Sequence, residues 1–436
     1  MNAPTAVGLA GGQAGDRGQA AEWAAAVAAG LLAWGLAVAA WGPGRTPAVA
    51  LVLPVLWSLA PTRKAAVAVG FGYHTGVVRF LAELAAPWYD SWGPTIVTAL
   101  LPGLAGAIVL GLTWTRTGSP WKLALATVAM LALLLVPPMA AVLPGHPIVA
   151  AGFLLPRWGW MGVAAVFLFS PLAVVAVRVW ARRRWPQARW LGPVAIAALA
   201  GAAYLSGQVP NPENGRLAGR VGAINTEWGK RPARIEEEVA RIGKIGDAAQ
   251  RLAGGDDGLD TVIFPESSIG SYDPSLFPVL DLEVLSRIRR TGQTVVIGAD
   301  VMAGPKTVLN SALILRPDGT ASSIAARQTP PLAAWRPWSS ELHNPANWLG
   351  QSTAPVGGGV TARFMFGYEE YLAGLHLLSE AREEHQLVIA MANLWSTANP
   401  VANAVQSAHT EGMALLFGRR WVRSVNLPAA AKTGPS

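Results

Sequence analysis

The chain has 436 residues, of which 52% are hydrophobic and 14% charged, where a soluble globular domain carries about a quarter charged residues. That composition excludes a disordered chain and argues against an ordinary soluble protein. The absence of cysteine excludes a disulfide framework, a cysteine-based zinc site and a thiol nucleophile.

Charge divides the chain in two. Residues 1–206 hold 13 Lys/Arg and 4 Asp/Glu, leaving 21 and 22 for residues 207–436. The first half has a membrane composition and the second a soluble one, and the net charge of +8 divides into +9 in the first half and −1 in the second. A pI near 10.1 is therefore no argument for nucleic-acid binding, and no direct nucleic-acid contact is expected.

Residues 1–21 are rich in Gly and Ala, lack the basic region of a cleavable signal peptide and read as a cytoplasmic tail. A span needs roughly 20 mostly apolar residues. Runs of that kind lie near 22–41, 65–86, 94–115, 122–142, 159–180 and 190–206, with a shorter one at 47–60. The expectation is a membrane domain of about seven helices over 22–206.

With the amino terminus inside, the cytoplasmic flanks hold Arg63, Lys64, Arg116, Lys122, Arg178, Arg182, Arg183, Arg184 and Arg189, and the opposite flanks only Arg45 and Arg157. An odd number of spans then delivers the second half to the periplasm of a bacterium, with the chain in the inner membrane. Trp88, Trp92, Trp114, Trp121, Trp158, Trp160, Trp185 and Trp190 lie near the predicted span ends, where an indole keeps its ring apolar and its N–H wet.

One membrane segment, FGYHTGVVRFLAELAAPW, carries His74, Arg79 and Glu83. Arg79 and Glu83 are four apart, so on one helix they share a face and neutralise each other. A lining for a cavity or a lipid headgroup site is the functional reading; a snorkelling pair near the span's end is the simpler one and is preferred. The six histidines show no metal-ligand spacing with acids, and nothing calls for a metal or a cofactor.

After a Pro- and Gly-containing linker at 207–218 the pattern changes to short apolar runs between amphipathic stretches. Strands are predicted at RVGAINTEW, DTVIFPES, TVVIGADV, VLNSALILRPDG, SSIAARQ, VTARFMFG, LVIAMAN and WVRSVN, with helices near 234–253, 278–291, 369–384 and 403–417. That alternation implies an α/β domain over 219–428, followed by a short tail at 429–436. Glu266, at the carboxyl end of a buried strand, is positioned for acid or base work. Ser267 and Ser268 lack the glycine pattern of a nucleophile elbow and read as turn residues. Arg419, Arg420 and Arg423 read as a solvated strand edge, and Glu236 to Glu238 and Glu383 with Glu384 as exposed helical faces.

The order strand-FPES, strand-NSALIL-turn-strand, a strand ending in FGYEE, then LVIAMANLWST and QSAHTEGMALLFGRRWVRSVN resembles the nitrilase (carbon–nitrogen hydrolase) superfamily. Behind a multi-span half, it looks like the apolipoprotein N-acyltransferase arrangement, although VRSVNLPAAAKTGPS is too short and polar for that family's final span. The stretch AARQTPPLAAWRPW looks more like the TraB-type proteins of conjugal plasmid transfer.

The resemblance implies an α/β/β/α sandwich and a triad of Glu base, Lys oxyanion stabiliser and Cys nucleophile. Glu266 matches the first, Arg327 falls at the second and Gly367 at the third, so the triad is degenerate. It also places Tyr368, Glu369, Trp335 and Asn393 at the pocket, and Glu266 is expected to pair with Arg327. The implied function is an inner-membrane protein of conjugal transfer with a binding or structural nitrilase-like domain. Its partners would be the bilayer, conjugal transfer apparatus proteins or a phospholipid or lipoprotein ligand. The rival is an active membrane-bound carbon–nitrogen hydrolase or acyltransferase; a transporter is a weaker third reading.

Overall fold

The computed structural model of the chain describes residues 10–89, 91–181, 220–253 and 258–429. The span expected at 190–206, the linker at 207–218, and Arg182, Arg183, Arg184, Trp185, Arg189 and Trp190 lie outside these residues.

The first half is helical: α1 (Ala10–Ala40), a 3-10 turn (Pro47–Val52) running into α2 (Leu53–Leu59), α3 (Arg63–Val77), α4 (Leu81–Ala85), α5 (Trp92–Thr113), α6 (Pro120–Leu133), α7 (Ile148–Leu154) and α8 (Gly159–Ala181). Three stretches are long and apolar enough to cross a membrane, Gly18–Ala40, Trp92–Thr113 and Gly159–Ala181, which associates this half with a membrane. A fourth exists only if α3 and the Leu81–Trp88 segment, bent by 60° at their break, count as one. The seven expected spans are thus not reached among the described residues. The run at 122–142 fails because α6 stops at Leu133, ahead of Pro137-Pro138; its 14 residues rise only about 21 Å across a core of about 30 Å.

The second half alternates strands and helices as expected: β1 (Val221–Ala223), α9 (Ile235–Leu252), β2 (Thr261–Ile263), β3 (Ser271–Tyr272), α10 (Phe277–Leu280), α11 (Ser286–Thr291), β4 (Thr294–Gly304), β5 (Thr307–Leu315), β6 (Ala321–Ala325), β7 (Thr353–Pro355), β8 (Thr361–Phe366), α12 (Ala373–Arg382), β9 (Leu387–Asn393), α13 (Pro400–Phe417) and β10 (Arg420–Asn426). One sheet runs β1-β2-β4-β5-β6, with β3 on β4; the other runs β10-β9-β8-β7. β1, β2 and β4 are parallel to one another, and so are β8, β9 and β10, while the hairpin β4-β5-β6 and the pair β7-β8 are antiparallel.

Apolar side chains explain the layers. Ile263, Val296 and Ile314 of the first sheet meet Phe364, Ile389 and Met391 of the second, face to face. Val262, Val295 and Ile297 point the other way, under Ile242 and Ile245 of α9 and Ile288 of α11. The alternation along each strand is what sends successive residues to the two faces. The result is the expected α/β/β/α sandwich.

On the outer face of the second sheet, Met365, Val388 and Ala392 share one continuous core with Val405 and Met413 of α13 and with Tyr73, Leu131 and Ile148 of the helical half. The closest approach is between α7 and α13, where a Cβ on Gly152 would run into the carbonyl of Gly412, and one on Gly412 would meet the Val149 carbonyl at 2.6 Å. Small residues here let two backbones touch. α7 itself was not expected from the sequence: its seven residues fall short of any span.

Candidate functional site

Glu266 follows β2 through Phe264 and Pro265, and the chain turns sharply after it. Ser267 takes a left-handed φ of 55°, uncommon for a residue with a side chain, and Ser268 Oγ donates to the Pro265 carbonyl at 2.6 Å. Both serines are engaged in shaping the turn. The Glu266 carboxylate accepts from Asn310 Nδ2 on β5 and, at 3.2 Å, from the backbone N–H of Gly367. Burial pushes its pKa up to about 8; the Asn310 bond opposes that rise and the nearby Asp300 charge adds to it. Near neutral pH the group is largely a carboxylic acid.

Gly367 starts the turn after β8. A Cβ built there would lie 2.5 Å from Glu266 Oε2 and 3.4 Å from Gln406 Nε2. The space a side chain would use is taken by the glutamate. Gln406 of α13 donates to the Gly367 carbonyl. Arg423 of β10 in turn donates to Gln406 Oε1 at 2.8 Å and to Glu370 Oε2 at 2.8 Å. Arg423 thus belongs to the buried wall behind the site, and Arg419 pairs with buried Glu380 at 3.0 Å, so the edge reading of these arginines is corrected. Glu383 likewise accepts from Ser352 and Thr353, and Glu238 is buried; neither belongs to a purely exposed face.

Arg327 goes elsewhere than expected. Its guanidinium donates to Ser379 Oγ at 2.8 Å and contacts Met365 Sδ at 3.6 Å, and no hydrogen bond or ion pair joins it to Glu266 among the described residues. The backbone N–H groups of Arg327, Gln328 and Phe366 converge on Glu369. Burial raises the Glu369 pKa, against the opposing Arg327 charge. The chain leaving β6 is thus tied behind the Gly367 turn by Glu369, and the arginine side chain follows it inward, so the anticipated Glu266–Arg327 pair does not form.

Of the remaining residues, Tyr368 and Asn393 line the cavity described below and Trp335 does not. Tyr368 donates to the Ala141 carbonyl at 2.7 Å. Asn393 accepts from Asn426 at 2.9 Å. Trp335 packs edge-on against Trp338, centroids 6.2 Å apart. His74 is buried against Gly106, with Nδ1 bonded to the Pro144 carbonyl at 3.0 Å.

Arg79 and Glu83 do not pair either. The helix breaks between α3 and α4 just where they would share a face. Arg79 donates to the carbonyls of Trp41 at 2.8 Å and Gly76 at 3.0 Å, and Glu83 accepts from Thr397 and Asn399 of the sandwich. Glu83 joins the two halves of the molecule.

Between those halves lies a cavity of about 440 Å³. Leu81, Leu84, Leu101 and Pro102 make its apolar side. Glu266, Asp300, Asn310, Thr329 and Gln406 make its polar end, with Trp88 and Trp395 meeting at a tilt across the seam, centroids 6.0 Å apart. Asp300, buried, pairs with Arg231 at 2.6 Å. Sequence reasoning missed Asn310, Asp300, Thr329 and Gln406. For Asp300 and Asn310 the available signal was the break of strand alternation by polar residues in GADV and LNSA; Thr329 and Gln406 lie outside those stretches.

The chain is thus an α/β/β/α sandwich set against apolar helices, with a strand-end glutamate facing the cavity between them. The chain is similar over nearly its whole length to proteins named for conjugal transfer. It is 28% identical over 388 residues to the probable conjugal transfer protein TraB of Sinorhizobium fredii, covering 87% of this chain and 92% of that protein. It is 25% identical over 411 residues to the conjugal transfer protein TraB of Agrobacterium fabrum, covering 86% and 87%. No protein-family profile matches. Among solved structures, an amidase of the nitrilase superfamily from Nesterenkonia aligns at 17% identity and TM-score 0.34 over 48% of this chain and 78% of its own. A carbon–nitrogen hydrolase from Helicobacter pylori aligns at 10% and 0.36 over 47% and 72%.

Proposed function

We propose that this chain is a TraB-like inner-membrane protein of plasmid conjugal transfer whose nitrilase-like domain lies in the periplasm and serves as a binding or structural module. One observation carries the non-enzymatic reading: the Glu266 carboxylate occupies the place where a side chain at position 367 would stand, in a chain without cysteine. A covalent acyl-transfer route needs a thiolate with room to approach carbon. Arg327, turned toward Ser379, offers no cation to a developing oxyanion at this site. The similarity to the two TraB proteins supports the conjugal role; the orientation is the one the loop cations give for seven spans, more than the three or four found among the described residues. Transfer apparatus proteins, or a lipid or lipoprotein, are the partners in this reading.

A donor strain lacking the gene should conjugate poorly. The wild-type chain and Glu266→Gln should restore transfer alike if the site has no catalytic duty. Intact-mass spectrometry after incubation with phospholipid should find no adduct. The rival enzyme reading is favoured by the Glu266 pKa of about 8, a value suited to general acid–base work. A Glu266→Gln chain that fails to restore transfer, or an acyl adduct on Ser267 or Ser268, would decide for the rival.

A further inference from the structure

Between β6 and β7 the chain forms a loop whose apolar tip is left uncovered among the described residues. The loop closes on itself at its base, where the N–H of Asn344 donates to the Ala334 carbonyl at 3.0 Å and that of His343 to the Lys306 carbonyl at 3.1 Å. Ends held this close make a compact Ω-type loop. Inside it the N–H groups of Ala334 and Trp335 both donate to the Pro330 carbonyl, and Arg336 Nη2 donates to the Leu342 carbonyl at 3.2 Å. So fixed, the tip presents Trp338, 65% exposed, and Leu342, 44% exposed, with the Trp335 ring edge-on to Trp338. A single exposed apolar residue is ordinary, but an indole pair with a leucine tied beside it marks a contact surface.

The position of this surface selects its partner. Pro331, Arg336 and Leu342 line the same open cavity as Leu84 of α4 and Thr98 and Leu101 of α5. α5 begins at Trp92 and is long and apolar enough to cross a membrane; at 1.5 Å per residue, Thr98 and Leu101 lie about 9 and 14 Å further along it. The loop therefore stands across the cavity from the first turns of that stretch, at the level where headgroups meet acyl chains. Cations accompany the indoles there. Arg336, held at 3.2 Å from exposed Glu341, leaves its Nε without a partner among the described residues, and Lys230 lies 5.6 Å from the centroid of the Trp395 ring. Trp with Arg and Lys is the mixture that suits a membrane surface, where rings and stems take the apolar side and charges stay among phosphates and water.

We propose that the tip of this loop inserts into the bilayer surface beside α5. Trp338 and Leu342 enter the boundary between headgroups and acyl chains, a depth of about 5–10 Å for an apolar face lying in the interface, and Arg336 stays at the level of the phosphates. The sandwich is then held to the membrane at a second point, apart from its packing on α7. This contact rests on the helical half being embedded in a membrane, and it is the same whichever side of that membrane the sandwich faces.

Because the chain has no cysteine, a single introduced cysteine takes a single label. Trp338→Cys and Leu342→Cys report on the tip, Leu100→Cys on the exposed face of α5, and Ala321→Cys on the exposed end of β6 away from the loop. Each full chain is labelled with an NBD fluorophore and reconstituted into phosphatidylcholine nanodiscs, with and without lipid carrying a doxyl quencher just below its headgroup. Quenching of about twofold or more is expected for the two tip labels and the Leu100 label, and of less than about a tenth for the Ala321 label. Tip labels quenched no more than the Ala321 label, beside a quenched Leu100 label, would overturn the insertion and leave the membrane reading standing. An unquenched Leu100 label would overturn both. Adding Trp338→Asp to the Leu342-labelled chain should cut its quenching by about half or more, since a charged side chain resists entry into the interface; unchanged quenching would overturn the insertion of Trp338.

Discussion

Glu266 makes the stability of this protein depend on pH in an unusual direction. Its folded-state pKa of about 8 stands above the ordinary 4.5, so between those values the folded chain holds a proton that the unfolded chain has released. Stability from this group is present at low pH and falls as pH rises through the window, by up to about 1.4 kcal/mol per pH unit. Thermal unfolding of wild type and Glu266→Gln at pH 5.5, 6.5 and 7.5 should show a downward trend for wild type that the variant flattens; parallel curves would contradict the burial of this carboxyl. Gly367 offers a second residue-level test. Gly367→Ala should destabilise the chain by about 1–3 kcal/mol through overpacking, and combining it with Glu266→Ala should recover part of that loss, because the blocking atom is Oε2 of Glu266. Strict additivity of the two changes would mean that they do not touch. At this scale the sequence was legible where a residue's role follows from its own strand. FPES at a strand end located Glu266. Arg327 was misplaced because its guanidinium is held by Ser379, 52 residues away, and no local pattern encodes that.

Elements show the same split. The strands were readable because each is a short apolar run bounded by turn residues, and β9, buried along nearly its whole length, has the continuous apolar character of a parallel strand covered on both faces. The apolar runs of the helical half were readable as helices but not all as spans, since hydropathy registers neither the end of α6 nor the break between α3 and α4. That break also undid the Arg79–Glu83 pair, which presumed one unbroken helix. Between β8 and α12 lies a cluster no element signals alone: Arg363, Glu380 and His385 are fully buried, with Arg363 and His385 each 3.0 Å from Glu380. Removing one partner of a buried pair typically costs about 3–5 kcal/mol, so Glu380→Ala should lower the urea midpoint sharply. Glu83→Ala, which touches only the exposed clasp to Thr397 and Asn399, should shift it by less than about 1 kcal/mol. Similar shifts for both would contradict the difference in burial.

Among the described residues the two halves share one apolar core, because α13 of the sandwich rests on α7 of the helical half, while two further cores lie within the sandwich. The composition shift near residue 207 marks two chemistries, but it conceals this joint. With the carboxyl-terminal domain periplasmic as proposed, alkaline phosphatase fused after residue 436 should be active and a cytoplasmic fluorescent reporter fused there dark; the reverse pattern would overturn the orientation. The joint has a further consequence in the order of synthesis. His409 accepts a hydrogen bond from the backbone of Gly145, 264 residues earlier in the chain, and at about 5–20 residues per second the ribosome needs roughly 13–50 s to bridge that distance. Throughout that interval α7 has left the ribosome while the helix it was shaped to receive does not yet exist. The glycine face of α7 is bare in every nascent chain, and any partner that shields it then acts before the finished protein ever presents a surface.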